Sequence, residues 1–203
     1  MPIINNKNIV DISTNPNIYK IFNESITKKW IKIISMDKTI SLDSYDKKDY
    51  FKLVADVIMD TDNRNTVIKF VPKIPKIEFE KKDEWIYLFT INNRIVKIGG
   101  TRTGLKGRVS SYLCGHHIRE RGKSGDCSKT NGYIYNTFDF YLNNGCNISM
   151  YAYKLPKIEI DMKVLDDNIK MPVQTYHIYE SKFIEDYKKK YLNYPYLSTN
   201  RMP

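Results

Sequence analysis

Two runs rich in β-forming residues, Trp85 to Ile91 and Arg94 to Ile98, are separated only by Asn92 and Asn93. A two-residue connection between antiparallel strands asks for positive φ, which asparagine tolerates, so the stretch reads as a hairpin. Gly99-Gly100 then breaks the second strand. The hairpin commits the chain to a sheet and leaves the other elements to pack around it. With 203 residues, 41% of them hydrophobic, the chain can bury a real core as one domain, or as one domain with a sizeable extension. Its longest apolar runs, Trp85 to Ile91 among them, are far short of the ~20 residues a bilayer span needs. Met1 to Asp11 has neither a basic nor a sustained apolar region of the kind a secretion signal carries, so a cytoplasmic, membrane-free protein is expected. Three cysteines, Cys114, Cys127 and Cys146, are an odd number in a chain that needs no staples, and they read as reduced thiols.

Before the hairpin, Asn15-Pro16 with Ile18, Ile21 and Phe22 has the start pattern of a helix, and Ser25 to Ser35 continues in helical style with a β-branched end. From Asp46 to Met59 the residues Tyr50, Phe51, Val54, Val57 and Ile58 fall at helical spacing. A short β-branched run, Thr66 to Val71, precedes Pro72-Lys73-Ile74-Pro75, where two close prolines mark a boundary. After the hairpin, Leu105 to Leu113 reads as a helix with Arg108 and Tyr112 on one side. Cys114 to Asn131 reads as a loop. Ile134, Phe138, Tyr141 and Leu142 suggest a helix ending near Gly145, Ile148 to Leu155 a third strand, and Pro156 to Thr175 an excursion from the sheet. Tyr176 to Tyr191 is the clearest helix of this half. The expected architecture is α+β: a small three-stranded, mainly antiparallel sheet flanked by helices over residues 81–203, with an N-terminal, mostly helical extension over 1–80.

The formal net charge is +10, and its placement narrows the function. Residues 85–129 hold Arg94, Lys97, Arg102, Lys106, Arg108, Arg119, Arg121, Lys123 and Lys129 against only Glu120 and Asp126, a net of +7. The flanking stretches are close to balanced. A basic block mixed with glycine and aromatics is the footprint of a polyanion-binding surface, with a solvated basic face as the bland alternative. Cys114, His116, His117, Cys127 and Cys146 match no standard zinc-finger spacing. His116, His117, Arg119, Arg121 and Lys123 read better as a loop facing DNA, with Arg102 and Lys106 beside it. Lys188-Lys189-Lys190 reads as the solvated face of the last helix.

A tyrosine inside a first strand, an Ile-Gly at the end of a second, an arginine on the next helix and a glutamate on a later one follow in a definite order. Here they are Trp85-Ile86-Tyr87, Lys97-Ile98-Gly99, Arg108 and Glu180-Ser-Lys-Phe-Ile184, followed by Pro195 to Asn200. This order resembles the GIY-YIG nuclease superfamily over residues 84–201. Trp85 stands where the superfamily's first signature has glycine, and Lys97 where its second has tyrosine. In a branch of its type II restriction endonucleases a lysine takes that place and a tyrosine four residues after the arginine serves instead, which Lys97 and Tyr112 match.

The resemblance implies a DNA endonuclease dependent on Mg²⁺, with Mn²⁺ as a substitute. It implies Tyr87 as base, Lys97 as its activator, Arg108 as transition-state clamp, Tyr112 as a phosphate or water contact and Glu180 as metal ligand. Asn200 is the expected positioning residue, with Asn193 as the alternative. The residue types suit phosphodiester hydrolysis. A phenol is a weak base unless a cation favours its phenolate, a guanidinium presents parallel donors to phosphate, and a carboxylate is a hard ligand for magnesium. A double-strand cut at a symmetric site is most simply made by a homodimer, for which residues 1–80 are the expected source of contacts. A nicking nuclease of homing or repair type and a non-cleaving DNA-binding protein on the same fold stay open.

Overall fold

The computed structural model describes residues 31, 34, 38–62, 66–114 and 128–198. Strands β1 (Lys52–Met59) and β2 (Ile68–Pro72) lead into a one-turn helix, α1 (Lys76–Glu80). The hairpin β3 (Trp85–Ile91) and β4 (Arg94–Thr101) follows, then helices α2 (Gly104–Leu113) and α3 (Lys129–Asn143) and strand β5 (Ile148–Lys154). A separate two-stranded ribbon, β6 (Ile158–Val164) and β7 (Asp167–Val173), precedes the last helix, α4 (Tyr176–Tyr191). The main sheet has the order β2-β1-β5-β3-β4, and every neighbouring pair is antiparallel.

The hairpin turns as its sequence requires: Asn92 has φ 45° and Asn93 φ 64°. All seven residues of β3 are buried, because both faces of the sheet are covered there. On one face Trp85, Tyr87 and Phe89 pack with Leu105, Val109 and Tyr112 of α2 and Tyr135 and Phe138 of α3. On the other, Ile86, Leu88, Ile95 and Ile98 meet Ile184 and Tyr187 of α4. An apolar run without alternation is what a strand covered on both faces needs.

Two expectations are corrected. The sheet has five strands rather than three, since β1 and β2 join it through β5. The stretch from Asp46 to Met59 is a single 3-10 turn (Lys48–Tyr50) followed by strand β1, not a helix. The pairing of β1 with β5 shifts register between Leu53 and Ala55, so the buried residues Val54, Ala55 and Val57 do not alternate. With Phe51 buried just ahead of the strand, the apolar positions imitate a helical stripe. Between residues 38 and 80 the only α-helix is α1 among the described residues, so this part of the expected extension is mainly strand. The helices expected near Asn15 and Ser25 lie outside the described residues, apart from Ile31 and Ile34, which are both buried.

Strand β4 is the sheet edge, and other segments of the chain cover much of it. The Ile95 amide donates to the Ile40 carbonyl (2.9 Å), and Leu42 donates to Asn93 (2.7 Å). Further along, the Leu197 amide donates to Val96 (2.8 Å), and the Ser198 hydroxyl accepts from the Ile98 amide (3.0 Å) and donates to its carbonyl (2.9 Å). This cover satisfies backbone groups that an edge would otherwise offer to another chain. Gly99 and Gly100 come directly after it.

Candidate active site

Tyr87 points from β3 across the neighbouring backbone of β4, where its cross-strand partner is Gly99. A Cβ on Gly99 would overlap the Tyr87 hydroxyl and ring, so only glycine lets the phenol lie there. Arg108 and Tyr112, one turn apart on α2, complete a cluster around that hydroxyl. Arg108 Nε donates to the Tyr87 oxygen at 2.8 Å and Nη2 to the Tyr112 oxygen at 2.9 Å, while the two hydroxyls lie 2.6 Å apart. The guanidinium carbon also stands 4.4 Å from the centre of the Tyr112 ring, within cation–π range.

Arg108 can only donate, so both phenols accept from it, and one phenolic proton serves the bond between them. The second phenolic proton is left for a group outside the cluster. Arg108 likewise keeps its Nη1 protons and one on Nη2 for a ligand, counting its bonds among the described residues.

Both tyrosines are fully buried. Burial pushes the Tyr87 phenol above its usual range and the charge of Glu180 adds to that, while Arg108 and the hydrogen bond from Tyr112 pull it back. Tyr112 is pushed well up, first by burial and then by Tyr87. Burial works against the Arg108 charge, yet the two phenol oxygens outweigh it and hold the guanidinium firmly protonated. The resting cluster is therefore one cation beside two neutral phenols.

Glu180 approaches the next residue of the strand, Gly100, from the opposite face of the sheet. A Cβ on Gly100 would lie 3.0 Å from Glu180 Oε2 and 2.9 Å from Tyr176 Cδ2. Successive strand residues face opposite sides. Gly99 thus admits the phenol from the α2 side and Gly100 the carboxylate from the α4 side, at adjacent positions of β4 that carry no side chain of their own. The glycine pair reads in sequence only as a strand breaker. Its larger role is this double close approach, which a Gly-Gly placed directly after a strand could have signalled.

The structure thus joins Tyr87, Arg108 and Tyr112 by hydrogen bonds and sets Glu180 against the adjacent glycine on the other face, where its charge still acts on Tyr87. Lys97 is almost fully buried, with Nζ donating to the Leu197 carbonyl at 2.9 Å, and Arg108 is a cation that hydrogen-bonds Tyr87. Lys97, with Leu197 and Ser198, pins the C-terminal segment to the edge of β4, a role no residue pattern announced. Asn193 lies just beyond α4 and donates to the Tyr191 carbonyl at 3.4 Å; Asn200 is outside the described residues. So are His116, His117, Arg119, Arg121 and Lys123. Arg102 is exposed and donates to Gln174 (3.0 Å), and Lys106 pairs with Glu80 (2.8 Å). Cys114 and Cys146 are free thiols, and Cys114 Sγ donates to the Ser111 carbonyl.

Glu180 fits a hard divalent cation. Its carboxylate lies in a cradle that any side chain at Gly100 would fill, and its charge is felt at the Tyr87 hydroxyl. Magnesium is ordinarily held by one or two carboxylates with water and phosphate oxygens completing the shell.

No protein-family model matches the chain, and no curated protein matches it. Solved structures do. A variant of bacteriophage T4 EndoII shares 22% identity at a TM-score of 0.48, over 70% of this chain and 92% of that one. Restriction endonuclease HPY188I, solved in complex with product DNA, shares 21% identity at a TM-score of 0.52, over 81% of this chain and 89% of that one. The chain is therefore similar in fold to HPY188I.

Proposed function

We propose that this protein is a DNA endonuclease that hydrolyses phosphodiester bonds with Mg²⁺. We assign it to the type II restriction enzymes of the GIY-YIG superfamily, acting at a short double-stranded sequence. The observation that carries the reading is the convergence of Tyr87, Arg108, Tyr112 and Glu180 on the Gly99-Gly100 edge. The fold shared with a restriction endonuclease supports it, and so does the +7 block of residues 85–129.

The phosphate docks on the remaining Arg108 donors, which present a planar fork to two of its oxygens. Tyr87 releases its proton to solvent, favoured by the Arg108 charge and the Tyr112 hydrogen bond, and its phenolate takes a proton from the attacking water. A bond forms between that water oxygen and phosphorus as the bond to the 3′ oxygen breaks, and the leaving oxygen takes a proton from solvent. Arg108 stabilises the charge that grows on the phosphoryl oxygens in between. Glu180 would hold Mg²⁺, which when bound supplies Lewis-acid polarisation of the phosphate and screens the leaving oxygen.

The test is incubation of plasmid and phage DNA with Mg²⁺, beside Tyr87→Phe and Glu180→Ala. Discrete fragments are expected from the parent, with both variants slower by about 10²- to 10⁴-fold. Retained DNA binding with no cleavage by the parent under any divalent metal would leave a binding module instead.

The direction of the Tyr87 shift also fixes a pH profile. Its phenol titrates above the ordinary tyrosine value of 10.0. The reactive phenolate is then a minor species that grows with pH, so single-turnover cleavage should climb about tenfold per unit between roughly pH 6 and 9. A rate that is flat or falling across that window would remove Tyr87 as the base.

A further inference from the structure

Tyr176 is the first residue of α4, one turn ahead of Glu180, and side chains at that spacing share a side of the helix. Both come down on Gly100. A Cβ at that glycine would lie 2.9 Å from Tyr176 Cδ2, 3.0 Å from Glu180 Oε2 and 3.3 Å from the Tyr176 carbonyl oxygen. Ring carbon and carboxylate oxygen thus lie close to one point, and the edge of the ring stands beside the carboxylate. Tyr176 enters none of the chemistry described above.

The ring has little freedom of its own. It is half-buried and packs on the apolar cluster that includes Ile98, Ile184 and Tyr187. The His177 ring meets it edge-on, 5.6 Å away between centres at an interplanar angle of 80°. Its inner edge rests against the bare backbone of β4. The chain enters α4 from an anchored residue, since the Thr175 amide and hydroxyl both donate to Glu84 Oε2 (2.9 and 3.1 Å). Glutamate, by contrast, is among the side chains that lose most rotamer freedom when fixed. A ligand already turned to its place binds a cation more tightly than one that is ordered only on binding.

We infer that Tyr176 is a positioning residue for the Glu180 carboxylate: its ring, held between the Gly100 backbone and His177, keeps Oε2 over Gly100, ready for a hard divalent cation. The atom that meets Gly100 is a ring carbon, so the ring and not the hydroxyl does this work. Phenylalanine should therefore serve at this position, and a side chain without a ring should not. The inference rests on the proposed function for Glu180 as the metal ligand.

Titration of the DNA-free protein with Mn²⁺, followed by electron paramagnetic resonance of the free ion, tests it without any cleavage. Tyr176→Phe should bind as the parent does, and Tyr176→Ala about 10- to 100-fold more weakly, the usual effect of removing a group that orients a metal ligand. Tyr176→Leu, which keeps apolar bulk on the cluster, should show the same loss and serves where the alanine variant does not fold, as judged by circular dichroism and melting temperature. In single-turnover cleavage Tyr176→Leu should need about tenfold more Mg²⁺ for half its maximal rate while that maximum stays close to the parent's. Leucine and alanine variants that bind Mn²⁺ like the parent, or a lowered maximum with an unchanged Mg²⁺ requirement, would overturn the inference. Glu180→Ala keeps the two readings apart. If it loses Mn²⁺ and the ringless variants do not, Tyr176 has no positioning role and the nuclease reading stands. If Mn²⁺ binding depends on both residues but the parent never cuts DNA, the positioning role stands and the nuclease reading falls.

Discussion

Arg108→Ala is expected to slow single-turnover DNA cleavage by about 10³- to 10⁵-fold, the range seen when an arginine that stabilises a phosphoryl transition state is removed. The size follows from how much converges on one side chain. Arg108 hydrogen-bonds both phenols, opposes the burial that raises the Tyr87 pKa, and keeps further donors for a ligand. Affinity for uncleaved DNA should fall far less, because many other cations share that task. Arg108→Lys should recover only a small part of the rate, since an ammonium is a point charge and cannot bridge two oxygens as a fork does. The two hydroxyls can still bond each other in either variant, so melting temperature separates a catalytic loss from a structural one. An alanine variant that cleaves at the parent's rate would take Arg108 out of the chemistry.

The largest effect on stability is expected at Phe89. Its ring lies 4.9 Å from Phe138, 5.6 Å from both Tyr87 and Tyr112, and 6.1 Å from Phe70, centre to centre, and it is fully buried. Phe89→Ala should cost about 3–5 kcal/mol in urea unfolding, because neighbours from the sheet and two helices cannot all collapse into the space left. Against a typical total of about 5–15 kcal/mol this is a large share. Cleavage should fall too at temperatures where the variant is folded, since both phenols rest on that ring. Phe89→Leu, which keeps most of the volume, should cost far less. An alanine cost under about 1 kcal/mol would show that this core is not close-packed.

Much of the candidate site's arrangement was legible because its residues sit on elements with strong local signals. Asn92-Asn93 fixed the hairpin and so placed Tyr87 beside β4, and helical spacing put Arg108 and Tyr112 on one side of α2. The residues of α4 carry a clear apolar stripe, and the helix spans Tyr176–Tyr191 as its pattern requires. What misled was β1, where an irregular register imitated a helix, and with it the width of the sheet. The pairing of β1 with β5 joins Leu53 to Tyr151, and no local pattern announces a partner so far along the chain. The job of Lys97 was hidden for the same reason, because its partner carbonyl at Leu197 is 100 residues away.

The sheet order β2-β1-β5-β3-β4 also bears on when, during synthesis, this protein acquires its site. Tyr87 and Tyr112 are only 25 residues apart and can meet as soon as that stretch has left the ribosome. The strand that joins the hairpin to β1 is made later, Glu180 later still, and the segment that closes the β4 edge last of these. Long-range closures of this kind are slow steps in folding. A growing chain therefore gains the residues of the phenol and guanidinium cluster before the carboxylate, so on the proposed nuclease reading cleavage waits until Glu180 has been made.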